Sequence, residues 1–105
     1  MIDIKDLRAL AVDIENFKIT KHMTKRFNER NIKLRFIQSA LLNGEIIEQY
    51  PNDYPYPSCL VLYYLNGKTP IHVCVGLGES ELWIITAYYP NTDEWEDDHK
   101  TRRGD

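Results

Sequence analysis

His22, Arg26 and Arg30 recur at four-residue intervals inside "KITKHMTKRFNERNIKLR", residues 18–35. On a helix each such step turns 40°, so the three side chains share a flank beside a Met23/Phe27 stripe. A second imidazole, His72, stands in "PIHVCV", and Thr86 and Tyr88 follow in "LWIITAYY". Two imidazoles and a guanidinium are the parts of metal-free RNA cleavage. One imidazole removes the proton of a ribose 2′-OH, the other protonates the leaving 5′-oxygen, and Arg stabilises the charged transition state. Imidazole suits both tasks because its ordinary pKa lies at about 6.5. Each residue also has a plainer reading. His22 fits a surface position or a cap, His72 a hydrogen-bonded sheet histidine, and Arg30 a pair with Glu45 or Glu48 that ties a helix corner. Tyr88 and Tyr89 are strand formers first.

The net charge of −3, from 13 basic and 16 acidic residues, argues against indiscriminate binding to nucleic acid, yet it conceals a split. Residues 18–35 carry seven basic residues and one acidic residue, a net of +6, while "DEWEDD" at 93–98 carries −5. Phosphate responds to the local field, which decays within about 8–10 Å in physiological salt. Lys21 and Lys25, on the same stretch as Arg30, are therefore candidate phosphate contacts, and the plainer alternative is a solvated face.

The 105 residues bound one domain, and 43% hydrophobic content with seven Tyr and two Trp suits a packed core. No apolar run approaches the ~18 residues of a membrane span, and "MIDIKDLRAL" is too charged for a signal peptide, so a cytoplasmic location is expected. Cys59 and Cys74 read as two small buried thiols, without metal-ligand spacing to any His. No metal or cofactor is expected: a Gly-rich phosphate loop and a nucleophile elbow are both missing, and "GLGES" is a turn between strands.

These side chains must be positioned by helices followed by strands. Ile4, Leu7, Leu10, Ala11 and Ile14 recur at helical spacing, with Asp3 and Asp6 at the N-terminal turn, which predicts a helix over 3–15. Phe17, Ile19 and Thr20 form an extended link, and Thr20 caps a helix over 21–30. A third helix, 33–43, carries Ile37, Ala40 and Leu41, and Asn43–Gly44 ends it as a left-handed stop. Strands follow at 45–50, 58–65, 69–76 and 81–89, with "PNDYPYPS" as a surface loop and Asn66–Gly67 as a hairpin turn. The fold class is α+β, with N-terminal helices packed on a four-stranded antiparallel meander. Residues 91–105 form a polar C-terminal tail or a short edge element around Trp95.

Phe36, Ile37, Leu41, Val73, Val75 and Ile84 are expected in one core. Strict alternation puts Leu82, Ile84, Thr86 and Tyr88 on one face of the last strand. His72 then points away from the helices, onto an open face.

The order "ITKHMTKRFNERNI", "NGEIIEQYP", "PSCLVLYY", "PIHVCV" and "LWIITAYYPNTDEW" resembles a small bacterial family of unknown function. Its members are found beside zinc-finger antitoxins of the MqsA type, and it is similar to the RelE/BrnT ribonuclease toxins. The resemblance covers about residues 17–95 and implies His22, Arg26, Arg30, Tyr50, His72, Thr86 and Tyr88 as site positions.

It implies a RelE-like fold and a toxin that cleaves RNA, free or on the ribosome, held by a cognate antitoxin with a zinc finger. In that reading His22 and His72 share the acid–base work, Arg26 holds the phosphate, and Tyr88 and Tyr50 stack bases or donate hydrogen bonds. The rival is a non-catalytic module whose basic helix or sheet edge binds a protein partner. A small-molecule enzyme finds no cofactor motif. Convergence of His22 and His72 is the expectation on which the two-imidazole chemistry stands.

Overall fold

Asp3 accepts a hydrogen bond from the Lys5 N–H and starts the first helix, α1 (Ile4–Ala11). The helix stops well short of residue 15: a second Asx cap, Asp13 on Glu15 N–H, opens a single 3₁₀ turn over Ile14–Asn16. Helix α2 (Lys21–Glu29) begins as expected at Thr20, whose hydroxyl accepts from the Met23 N–H at 3.2 Å. It ends at Asn31, which takes a left-handed φ of 58° while the Ile32 N–H returns to the Phe27 carbonyl at 2.8 Å. That tight corner leads directly into α3 (Leu34–Asn43). The structure, a computed structural model, describes residues 1–104.

The sheet has five strands, not four. Phe17–Lys18 form β1, followed by β2 (Glu45–Tyr50), β3 (Ser58–Leu65), β4 (Thr69–Leu77) and β5 (Leu82–Tyr88). The order is β1-β5-β4-β3-β2, with β1 parallel to β5 and all other neighbours antiparallel. The sequence reads residues 17–20 as a link because two residues are too few to show a period. The Asn66–Gly67 turn has positive φ at both positions (54° and 71°), within a three-residue loop, 66–68, between the paired Leu65 and Thr69.

All three helices pack on one face. Ile37, Leu41, Val73, Val75 and Ile84 meet there with Leu7, Phe27 and Leu82, and Phe36 packs half-buried against them. Gly44 does not act as a left-handed stop: its φ is −82°. It is required by close approach, since a Cβ there would lie 2.5 Å from the Ala40 carbonyl oxygen and 2.6 Å from that of Leu62.

Two strands depart from alternation. Ile84 pairs with Val75 but Thr86 pairs with Cys74, so Ile85 is an extra residue, a β-bulge. Beyond it the facing inverts: Ala87 joins the core, while Thr86 and Tyr88 lie on the His72 face, apart from Leu82 and Ile84. A matching shift between Ile46 and Glu48 in β2 turns Glu48 and Tyr50 onto that face as well.

The face away from the helices is not open. Residues 91–104, read from sequence as a polar tail, cross it as a strap closed by a Trp95–Arg102 bridge and by bonds between Glu96 N–H and Thr101 C=O. Trp95 is 2% exposed and seals this second, smaller interior with Leu60, Leu62 and His72. Among the described residues no helix is long and apolar enough to cross a membrane.

Two substitutions test this packing by thermal melting. Val73→Asp, placing an unpaired charge in the core, is expected to unfold the domain. Gly44→Ala should cost about 1–3 kcal/mol or more through overpacking at the α3–β2 joint, and a wild-type melt for it would contradict the close approach.

Candidate functional site

His72 pairs with Leu62 in β3 and Tyr88 in β5, at the centre of the sheet and on the strap side. Its Nε2 lies 2.7 Å from the His99 carbonyl oxygen. A carbonyl only accepts, so Nε2 carries the proton and Nδ1 is left with a lone pair. The Tyr88 hydroxyl donates to that lone pair at 3.2 Å. The Trp95 ring stands edge-on to the imidazole at 4.5 Å between centroids. Burial lowers the His72 pKa below its ordinary 6.5, the His99 carbonyl bond opposing it, and burial raises that of Tyr88. The couple is therefore a neutral imidazole holding a neutral phenol.

Around it lies a polar ring. Arg102 of the strap binds Glu48 with both arms, Nε to Oε2 at 2.9 Å and an Nη to Oε1 at 3.0 Å. Tyr50 donates to the same carboxylate, and the Arg102 guanidinium lies 4.7 Å from the Trp95 ring. Burial opposes ionisation of Glu48, but the bonds from Arg102 and Tyr50 outweigh it and hold its pKa low. Tyr50 is pushed up to about 12 by burial and by this carboxylate. Tyr50 thus belongs to the β2 edge, with β3 and β4 between it and β5.

At the opposite edge, β1 covers only Leu82 and Trp83, and Arg30 takes over where β1 ends. One guanidinium nitrogen donates to the Ala87 carbonyl at 2.7 Å and to the Thr86 hydroxyl at 3.4 Å. Arg30 is therefore tied to β5 and not to Glu45 or Glu48, the pairing its place at a helix corner suggested. Arg26 and His22 follow it along α2 at 40° steps, both exposed. Lys21 and Lys25 are exposed on the same helix.

The expected convergence of His22 and His72 does not occur. His22 rides on α2, packed by Phe27 against the helix face of the sheet, while His72 is fully buried on the strap face. The sequence pattern placed His72 on the correct face. What it did not show was the strap, because Trp95 sits in an acidic run without periodicity. What the fold does assemble is Arg30, Thr86, Tyr88 and His72 along the β5 edge, with Tyr50 outside that group. Cys59 and Cys74 face opposite sides of the sheet and are free thiols, with pKa values pushed up to about 12 and about 11 by burial.

None of the seven Lys and Arg side chains of residues 18–35 makes an ion pair among the described residues; every such pair found involves Lys100, Arg102 or Arg103 of the strap.

His72 gives a pH test. Above about 6.5 the imidazole is neutral in folded and unfolded chains alike, and its environment costs nothing. As the pH falls below that value the unfolded chain takes up a proton that the folded site resists, so stability should decline until the lowered folded pKa is passed. His72→Gln presents a donor and an acceptor at similar spacing without titrating. Chemical denaturation at a series of pH values should show this decline in the wild type and its loss in the variant.

Residues 19–89 match the model of a family described as a domain of unknown function (DUF4258). The matched span runs from the start of α2 through β5 and leaves out α1 and the strap. No curated protein and no solved structure matches the chain.

Proposed function

The chain belongs to the DUF4258 family, and from the site of this member we propose that it is a ribonuclease-type toxin of a bacterial toxin–antitoxin pair, related to the RelE/BrnT toxins. One observation supports the reading: basic side chains without an ion-pair partner among the described residues run along α2 and end at Arg30, whose carbonyl partner Ala87 is one residue from a phenol bonded to a buried neutral imidazole. Phosphate backbones are the ligands that such a flank suits, and the Tyr88–His72 couple is a proton acceptor beside it.

The chemistry follows from the tautomer. Tyr88 takes the 2′-hydroxyl proton as its own passes to Nδ1 of His72, whose Nε2–H stays on the His99 carbonyl. The 2′-oxygen attacks phosphorus and the 5′-oxygen leaves with a proton from water. Arg30 neutralises charge on the phosphoryl oxygens. The products are a 2′,3′-cyclic phosphate and a 5′-hydroxyl, and the imidazolium returns its proton to solvent. His22, Arg26, Lys21 and Lys25 contribute phosphate contacts in this scheme, and His22 is not the acid partner of His72. In the cell the protein is expected in the cytoplasm with a cognate antitoxin.

The complete burial of His72 favours a second reading, a non-catalytic module that binds an acidic partner through the same flank. Expression in bacteria followed by RNA end-mapping separates the two. Tyr88→Phe should lower cleavage by about 10²–10⁴-fold. It should still fold, having lost one donor to a buried acceptor at a cost of about 1–3 kcal/mol. Charge reversal at Lys21 and Lys25 should weaken RNA binding more at low salt than at high salt. Cleavage should survive EDTA, since the acid–base groups are side chains. Growth arrest that Tyr88→Phe leaves intact, without new RNA ends, would sink the ribonuclease and leave the binding module.

A further inference from the structure

At the far end of β5 lies a cleft that the groups above leave unused. Trp83 and Ile85 face the loop residues Tyr54, Pro55 and Tyr56 across a space of about 340 Å³ floored by Gly76. Tyr54 is 91% exposed, Ile85 42% and Trp83 37%, so large apolar surface meets solvent around one opening. Two polar groups at the rim are already committed. Trp83 Nε1–H donates to the Glu81 carboxylate at 3.0 Å, and Asp53 accepts from the Ser58 hydroxyl at 2.6 Å and from the Tyr54 N–H at 3.1 Å. What the cleft offers is chiefly aromatic and apolar surface, suited to stacking.

Lys18 adds the charge that identifies the occupant. In the parallel β1–β5 pair, Phe17 lies beside Leu82 and both enter the core, so Lys18 and Trp83 share the opposite face on neighbouring strands about 4.8 Å apart. Lys18 is exposed and has no carboxylate partner among the described residues. A cation beside an aromatic cleft matches a nucleotide: phosphate on the ammonium, base between the rings. Gly76 keeps the floor free, because a Cβ there would reach within 3.6 Å of the Trp83 Cβ and 3.7 Å of the Ile85 side chain.

We propose that this cleft is a base-stacking subsite for single-stranded RNA, with Lys18 on the adjoining phosphate. It rests on the RNA reading of the α2 flank and gives that reading a substrate class, unpaired strands without strong base preference. The subsite and Tyr88 lie on one face of β5, so a strand held at the cleft is brought to the β5 edge where Arg30 and Tyr88 stand, and need not pass under the strap.

The test is fluorescence anisotropy with a labelled single-stranded RNA oligonucleotide and the same ribose-phosphate backbone lacking bases. Wild type should favour the base-bearing strand by about tenfold or more. Trp83→Leu and Tyr54→Ala should bring the ratio toward one while binding of the abasic strand is unchanged; Tyr54, being almost wholly exposed, can be removed without risk to the fold. Lys18→Gln should weaken both strands. Equal wild-type affinity for the two strands would overturn the subsite and leave the phosphate contacts of α2 standing. A preference that persists in both aromatic variants would overturn it too, by placing the base elsewhere. Binding of neither strand would remove the RNA reading and the subsite together.

Discussion

Ile85 is the residue of β5 without a partner in β4, and every side chain after it points the other way because of it. Side chains alternate with period two, so one inserted residue exchanges the faces of all that follow. Without the bulge, Thr86 and Tyr88 would enter the aliphatic core and Ala87 would stand opposite the strap. With it, Tyr88 comes beside His72 and Ile85 joins Trp83 at the rim of the aromatic cleft. The shift in β2 does the same for Glu48 and Tyr50 at the other edge. Two local irregularities thus gather the polar residues of two strands onto one face and leave the helix-facing core aliphatic.

That face is covered by a segment held by one buried aromatic and a few polar anchors. The exposed Lys100–Glu45 pair contributes only about 0–1 kcal/mol, whereas the Arg102–Glu48 pair is two-armed and its carboxylate is 23% exposed. Trp95, only 2% exposed, anchors the strap, since losing a buried Trp side chain typically costs about 3–5 kcal/mol. The charges do something else. Basic groups of the strap pair with Glu45, Glu48, Glu96 and Asp97, whereas those of residues 18–35 pair with no acidic group among the described residues. The acidic run 93–98 therefore makes no ion pair with the basic flank among the described residues.

Much of the scaffold was legible because it rests on local rules. Thr20 as a cap, the Asn66–Gly67 turn and the limits of β2 and β3 follow from single residues or from clear periods, and the structure reproduces them. The face of His72 was legible too, from the alternation of Ile71, Val73 and Val75. The site was less so. A bulge between Ile84 and Thr86 leaves no mark in a run of uniformly strand-forming residues, so simple alternation assigned Thr86 and Tyr88 to the wrong side. Two-residue β1 is too short for any pattern, and the strap is placed by one Trp and by backbone bonds to side chains remote in sequence. Gly44 misled for another reason: asparagine–glycine after a helix suggests a left-handed turn, but close packing explains the glycine equally well, and only the φ of −82° distinguishes them.

A buried histidine under a strap is a poor place for catalysis if substrate must reach the imidazole itself. In the proposed scheme it need not. The Tyr88 hydroxyl is bonded to Nδ1, and the phenol is half-buried on the strand whose outer edge, beyond the β1 pairing at Leu82 and Trp83, is met by Arg30. In the proposed scheme a phosphodiester approaching along α2 would meet the guanidinium and then Thr86 and Tyr88. The strap would then act on that chemistry from behind. By accepting the Nε2 proton, the His99 carbonyl fixes the tautomer that leaves Nδ1 free for Tyr88, and by sealing the imidazole from water Trp95 keeps it neutral. An exposed histidine would be freer to take either tautomer or a second proton. In the proposed scheme the burial that keeps substrate off His72 also holds the imidazole neutral, the form able to accept a proton through tyrosine.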